Sequence, residues 1–271
     1  MENTLAAFVA GELPAGVAAV RALAEAESAA EARVAAIGAG ASTLRPLLTD
    51  EAFELVRRMH AIADHDTPAT PEAWAAVFDR AAAVSPEASV ALYSLGDAER
   101  LAAATAEVAD WLRSEGLVGP GARVLEIGCG IGRFVAVLAP EVELYVGLDV
   151  SPVMAGEAAR RSAGVMGAAV VRTGGRDLAG FEDEAFDLVL AIDSWPYVVN
   201  VGLSEALARE AARVLRPGGT FAILNWSYRG DAAHDRAEAE GLAASLGLTL
   251  EGGPAPTLRH WNGVLFRFRK S

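Results

Sequence analysis

Apolar and polar positions change their period partway along the chain. From the N-terminus to about residue 116, apolar residues, mostly alanine, recur at helical spacing. They predict helices over Leu23–Ile37, Asp50–Asp64, Pro71–Val84 and Ala98–Glu115. Thr49 and Asp50 offer a cap for the second of these, and Thr70-Pro71-Glu72 marks the start of the third. Gly38-Ala39-Gly40, Asp66-Thr67-Pro68 and Ser85-Pro86 separate them. Beyond the link from Gly116 to Gly121, short apolar runs of strand length alternate with helical stretches. Strands are expected near 122–127, 143–149, 168–172, 186–192, 219–225, 247–251 and 264–270, and helices near 131–138, 153–163, 203–214 and 232–245. Such alternation predicts a mostly parallel sheet covered on both faces, and the last two runs predict an antiparallel terminal hairpin. The expected organisation is a helical lid or substrate domain over residues 1–116 and an α/β ligand-binding domain over 117–271.

The ligand is suggested where the first strand ends. Arg123 to Ile127 runs into Gly128, Gly130 and Gly132, and then a helix begins. Glycines at alternate positions remove Cβ atoms where a bound molecule would meet the backbone. The next apolar run, Val142 to Leu148, ends at Asp149, whose carboxylate can accept from both hydroxyls of a ribose. About 20 residues separate glycine loop from acid, as a strand–helix–strand unit requires. An adenosine derivative follows. The dinucleotide pattern G-x-G-x-x-G fails because Arg133 holds its third position, and the phosphate loop G-x-x-x-x-G-K-[ST] is missing.

The E-x-G-x-G-x-G arrangement from Glu126 to Gly132 resembles the first motif of class I S-adenosylmethionine-dependent methyltransferases. Asp149-Val150-Ser151-Pro152-Val153-Met154 is similar to that family's second motif. Gly175-Arg176-Asp177-Leu178 resembles its third acidic loop, Phe186 to Asp193 its fourth strand, and Arg213 to Gly219 the turn before its fifth. The resemblance implies a Rossmann-like seven-stranded sheet and S-adenosylmethionine as co-substrate. It also implies cofactor contacts from Glu126, Gly128, Gly130, Gly132, Asp149, Val150, Met154, Asp177, Leu178 and Asp193. In many small-molecule methyltransferases a tyrosine ahead of the glycine loop reaches the cofactor carboxylate, which makes Tyr93 a candidate.

Composition narrows the partners. The net charge of −13 disfavours nucleic acid, whose affinity rests on phosphate neutralisation by basic groups. No apolar run approaches the ~20 residues of a membrane span, and Met1 to Ala10 carries no basic leader pattern, so a cytoplasmic enzyme is expected. Lys270 is the single lysine, which leaves no internal-aldimine residue for pyridoxal phosphate. The single cysteine, Cys129, sits within the glycine loop and reads as a packing residue. Homodimerisation stays open.

Acceptor-side candidates follow the fourth and fifth strands. Asp193-Ser194-Trp195-Pro196-Tyr197 and Asn225-Trp226-Ser227-Tyr228-Arg229 hold aromatics that can enclose a cation, wall an apolar pocket, or simply pack. Asp193, Trp195, Tyr197 and His234 are the catalytic candidates, with His260 as another titratable residue. His60, His65, Asp64 and Asp66 do not share one helical face and predict no metal site, and Leu224-Asn225 lacks the acidic pair of metal-dependent relatives. Methyl transfer to a small molecule is the expected activity. The alternatives are intramolecular cyclisation of the cofactor, releasing methylthioadenosine, and cofactor binding without turnover.

Overall fold

The computed structural model describes residues 1–63, 68–251 and 258–271. These form two compact units. One comprises 1–63, 80–107 and 258–262, and the other 68–79, 108–251 and 263–271. The partition thus falls inside two helices, whereas the sequence suggested a single division after residue 116.

The first unit is helical. Its helices are α1 (Glu2–Val9), α2 (Ala15–Glu25), α3 (Ala29–Gly38) and α4 (Asp50–Ala63), followed by the second part of α5 (Pro71–Val84), α6 (Pro86–Val90) and the first part of α7 (Ala98–Ser114). The single helix expected over Leu23–Ile37 is two helices. Ser28 is extended and its hydroxyl accepts from Glu31 N, so a serine that reads as mid-helix acts as a cap and starts α3. Buried Leu5, Leu23, Leu44, Leu48, Phe53 and Val56 form this unit's core. His60 is exposed near the end of α4, whereas His65, Asp64 and Asp66 lie outside the described residues.

The second unit is the expected sheet. Its strands are β1 (Arg123–Ile127), β2 (Leu144–Asp149), β3 (Ala168–Arg172), β4 (Phe186–Ile192), β5 (Leu215–Leu224), β6 (Leu248–Glu251) and β7 (Leu265–Lys270). Among the described residues they form one seven-stranded sheet in the order β3-β2-β1-β4-β5-β7-β6. The first five strands are parallel, while β7 runs antiparallel to both neighbours, β5 and β6. Helices α8 (Arg133–Leu138), α9 (Pro152–Arg161), α10 (Trp195–Asn200), α11 (Ser204–Val214) and α12 (Ala232–Leu246) connect the strands. β1, β2 and β4 are buried over nearly their whole length, as strands covered on both faces should be.

Arg216-Pro217-Gly218-Gly219, expected as a turn before the fifth strand, lies within β5 as an irregularity. The pairing jumps from Phe186 with Leu215 to Leu188 with Thr220, and Gly218 takes φ +75°. Proline lacks the ladder donor and glycine allows the reversal of φ, so the chain bulges and pairing resumes in a shifted register. The strand order reverses between β1 and β4. A crevice at their carboxyl ends is where open α/β sheets bind ligands. Among the described residues, no helix is long and apolar enough to cross a membrane.

Candidate functional site

The glycine loop leaves β1 next to the carboxyl end of β2. Gly128 N and Cys129 N both donate to Leu148 O at 2.8 Å, which turns the chain across the end of the neighbouring strand. Gly128, Gly130 and Gly132 all take left-handed φ values, 74°, 55° and 75°. The sequence reading assigned each glycine to ligand clearance, but the close neighbours at two of them are protein. A Cβ on Gly128 would stand 2.4 Å from Ser194 Cβ, and one on Gly132 would stand 2.8 Å from Ala158 Cα. Gly128 thus lets the loop after β4 close onto β1, where Ser194 Oγ donates to Ile127 O at 2.5 Å. Gly132 lets α8 and α9 approach.

Asp149 stands at the end of β2 and is 6% exposed. Its Oδ2 accepts from Gly130 N and its Oδ1 from Ser151 N, each at 2.8 Å. The Val150 backbone also bonds to this carboxylate, and its roughly four lone-pair sites still leave room for a ligand hydroxyl. Burial pushes this carboxyl up to about 6 against the pull of those backbone donors, and the nearby charge of Asp79 adds to the rise. The acceptor at the strand end favours a ribose, whose hydroxyls donate, over a phosphate, whose charge it would repel. These residues fit the nucleoside of S-adenosylmethionine: a buried hydroxyl acceptor beside a tightly turned glycine loop.

Beneath the loop, Glu126 is 1% exposed and accepts from Tyr145 OH at 3.0 Å. Burial pushes its carboxyl up to about 7, with the Tyr145 bond and the charge of Arg133 opposing. Arg133, which sequence reasoning used only to exclude a dinucleotide, is 9% exposed, with its guanidinium 4.5 Å from the Phe134 ring centroid. Its charge also opposes the upward shift of the Asp193 carboxyl, so it acts on two acids. Cys129 has the packing role expected of it. The thiol is buried, a Cβ on Gly147 would stand 2.9 Å from its sulfur, and burial raises it well above a reactive range.

The first two turns of α5 belong to the sheet unit, and sequence reasoning missed their part in the site. Asp79 Oδ1 accepts from Ser151 Oγ at 2.5 Å and Val153 N at 3.3 Å, beside Asp149. Glu72 pairs with Arg176 at 2.7 Å, on the loop after β3. Trp74 Nε1 donates to Asn200 Oδ1 at 3.1 Å, on α10 after β4. One short stretch of helix therefore ties down the segments after β2, β3 and β4. The signal available in sequence was a group of acids and aromatics, Glu72, Trp74, Phe78 and Asp79, on an otherwise alanine-rich helix.

Asp193 follows β4 and takes the left-handed φ of +58°, and Asn225 follows β5 at +68°. Asn and Asp are among the residues that tolerate this conformation, and such backbone clusters at functional sites. The two are cross-linked: Asn225 Nδ2 donates to Asp193 Oδ1 at 2.9 Å, and Val264 N donates to Asn225 Oδ1 at 3.0 Å. Tyr228 OH donates to the same Asp193 Oδ1 at 2.8 Å. Loss of solvent raises the Asp193 carboxyl against these donors. Tyr197 lies in the same group, edge-on to Trp74, Phe78 and Tyr228 with ring centroids 4.7, 4.9 and 5.7 Å away.

The remaining expected site residues are dispersed. Trp195 is wholly buried, 5.2 Å from Phe221 and 6.1 Å from Trp226 between ring centroids, which is a core role. Two positions on, Tyr197 emerges, because α10 rotates it toward Trp74. His234 is exposed at the start of α12 and faces Glu238 at 3.2 Å within the ionic network of Arg229, Asp235 and Glu238. That network fixes the segment after β5 that carries Tyr228. Val150 is half-buried beside Gly175, whereas Met154 is buried, with its N–H donating to the Ser151 cap. Asp177 is exposed and accepts from Ala179 N at 3.2 Å, and buried Leu178 donates its N–H to Glu210. Tyr93 lies in the helical unit, its ring stacked on Trp261 with centroids 6.2 Å apart, and His260 N donates to Glu107 there.

Part of the chain is similar to known methyltransferases. Residues 125–223 match the family model described as a methyltransferase domain. The chain is 30% identical to the 2-methyl-6-phytyl-1,4-hydroquinone methyltransferase of Synechocystis over 113 residues, 41% of this chain and 34% of that protein. It is 35% identical to the methyltransferase GfsG of Streptomyces halstedii over 117 residues, 42% of this chain and 41% of that one. The match thus spans less than half of either curated relative. Among solved structures, a SAM-dependent methyltransferase from Aquifex aeolicus is similar at 18% identity and TM-score 0.49, over 65% of this chain and 94% of that one.

Proposed function

We propose that this chain, a member of the class I S-adenosylmethionine-dependent methyltransferase superfamily, methylates a small molecule. The observation that carries the reading is the arrangement at the switch in strand order. A glycine loop and a buried acid occupy one side of it, and a half-buried acid ringed by aromatics occupies the other.

S-adenosylmethionine supplies an activated methyl group and its own leaving group, so the protein's task is orientation, exclusion of water and proton handling. Asp149 accepts the ribose hydroxyls, and the backbone at Gly128 and Gly130 accommodates the methionine side. Val150, Asp177 and Leu178 belong to the loops that border the adenine. Asp79, through Ser151, holds the turn after β2 in place. Asp193 faces the acceptor and takes its proton, while Tyr228 and Asn225 hold that carboxylate in one orientation. Trp74, Phe78 and Tyr197 wall the acceptor side.

Calorimetric titration with S-adenosylhomocysteine, NAD and ATP tests the reading. Binding of S-adenosylhomocysteine alone, weakened at least tenfold by Asp149→Ala, is expected. Equal binding of NAD, or an Asp149 variant with unchanged affinity, would overturn it.

A further inference from the structure

Resting on that reading, we infer that the acceptor is an aliphatic amine, received by the free carboxylate oxygen of Asp193 among the rings of Trp74, Phe78, Tyr197 and Tyr228. Four observations converge. Both donors to Asp193, Asn225 Nδ2 and Tyr228 OH, fall on Oδ1, which leaves Oδ2 for a ligand. A carboxylate fixed on one oxygen is a directional acceptor for an N–H donor. The surrounding side chains are aromatic: Tyr197 stands within 6 Å of three other rings, and the faces of such rings attract cations. Among the described residues the positive charge acting on Asp193 is that of Arg133, whose guanidinium lies 4.5 Å from the Phe134 ring centroid. An acidic chain of net charge −13 adds a field that draws ammonium compounds and repels carboxylates or phosphates.

The chemistry closes on the same residues. An ammonium entering the site gives its N–H proton to Asp193, whose carboxyl is raised by loss of solvent. The freed nitrogen lone pair forms the new N–C bond as the S–C bond breaks, and the sulfur keeps that electron pair as the neutral thioether. The proton on Asp193 Oδ2 then passes to solvent, since the residue is only half-buried. Overall, one ammonium and one sulfonium become a methylated ammonium, a thioether and one released proton.

The test is calorimetric titration of the full chain saturated with S-adenosylhomocysteine, using n-hexylamine and 1-hexanol at pH 7.5. These probes have similar apolar tails and differ in the charged head. Hexylamine is expected to bind at least tenfold tighter than hexanol. Asp193→Asn should abolish that preference while leaving hexanol binding unchanged, and asparagine tolerates the left-handed backbone there. Trp74→Leu should weaken both probes, and hexylamine more. Equal binding of the two probes, or a preference that survives Asp193→Asn, would overturn the inference. If Asp193 Oδ2 instead serves the cofactor's own ammonium, S-adenosylhomocysteine will occupy it and the preference will be missing. S-adenosylhomocysteine binding is read separately in the same samples, so loss of the cofactor reading and loss of the amine reading are distinct results.

Discussion

Glu126→Gln should make this protein more stable at alkaline pH, although it changes a residue of the most diagnostic motif in the chain. Glu126 is 1% exposed and, with Tyr145 OH as its donor, has a carboxyl raised to about 7 from 4.5. A raised folded-state value means that the native state holds the proton more tightly than the unfolded chain. This group's contribution is therefore most favourable below pH 4.5, declines between 4.5 and 7, and stays unfavourable above. A rise of about 2.5 pK units corresponds to about 3 kcal/mol at pH 8 and less than about 1 kcal/mol at pH 5. Glutamine keeps an oxygen for Tyr145 and carries no charge to bury, but its amide N–H groups need acceptors, which offsets about 1 kcal/mol. A net gain of about 2 kcal/mol at pH 8, vanishing by pH 5, is the expected outcome. Urea unfolding followed by circular dichroism at both pH values measures it. A variant less stable than the parent at pH 8, or a difference that ignores pH, would refute the argument that burial dominates at Glu126.

Gly128→Ala should lower the melting temperature and weaken S-adenosylhomocysteine at least tenfold, since its Cβ meets Ser194 at 2.4 Å on a backbone with φ of 74°; scanning calorimetry and titration check both. Because the Asp149 carboxyl is raised to about 6, S-adenosylhomocysteine affinity should fall as pH drops through 6, and Asp149→Ala should cost about 1–3 kcal/mol at pH 8. Unchanged affinity from pH 8 to 5 would argue against the ribose role. Asp79→Ala removes the acceptor of Ser151 Oγ and Val153 N, so cofactor dissociation in stopped-flow should quicken several-fold with little change in overall stability.

The sheet was legible because its strands are uninterrupted apolar runs bounded by turns, and β1 to β4 and β7 fall within a residue or so of the expected spans. The strand order was not written locally, since it depends on which buried faces pair across long connections. The break between α2 and α3 was hidden because Ser28 sits in a run of helix-forming alanines, where propensity speaks for continuation. Motif spacing located Gly128, Asp149 and Asp193 because chain geometry fixes where strands end. It could not show that Trp195 turns into the core and Tyr197 turns out, since both are aromatics on the same short helix. Nor could it place Trp74, Phe78 and Asp79, which are more than seventy residues from the loops they touch and meet them only through the fold.

Methyl transfer itself is read most directly with S-adenosylmethionine carrying a carbon-13 methyl group. Incubation of the protein with the labelled cofactor and a set of aliphatic amines, followed by mass spectrometry, should give S-adenosylhomocysteine and an equal amount of a small product heavier by one labelled methyl. Methylthioadenosine formed without any acceptor, or label left wholly in the cofactor against every acceptor class and a metabolite extract, would contradict the account.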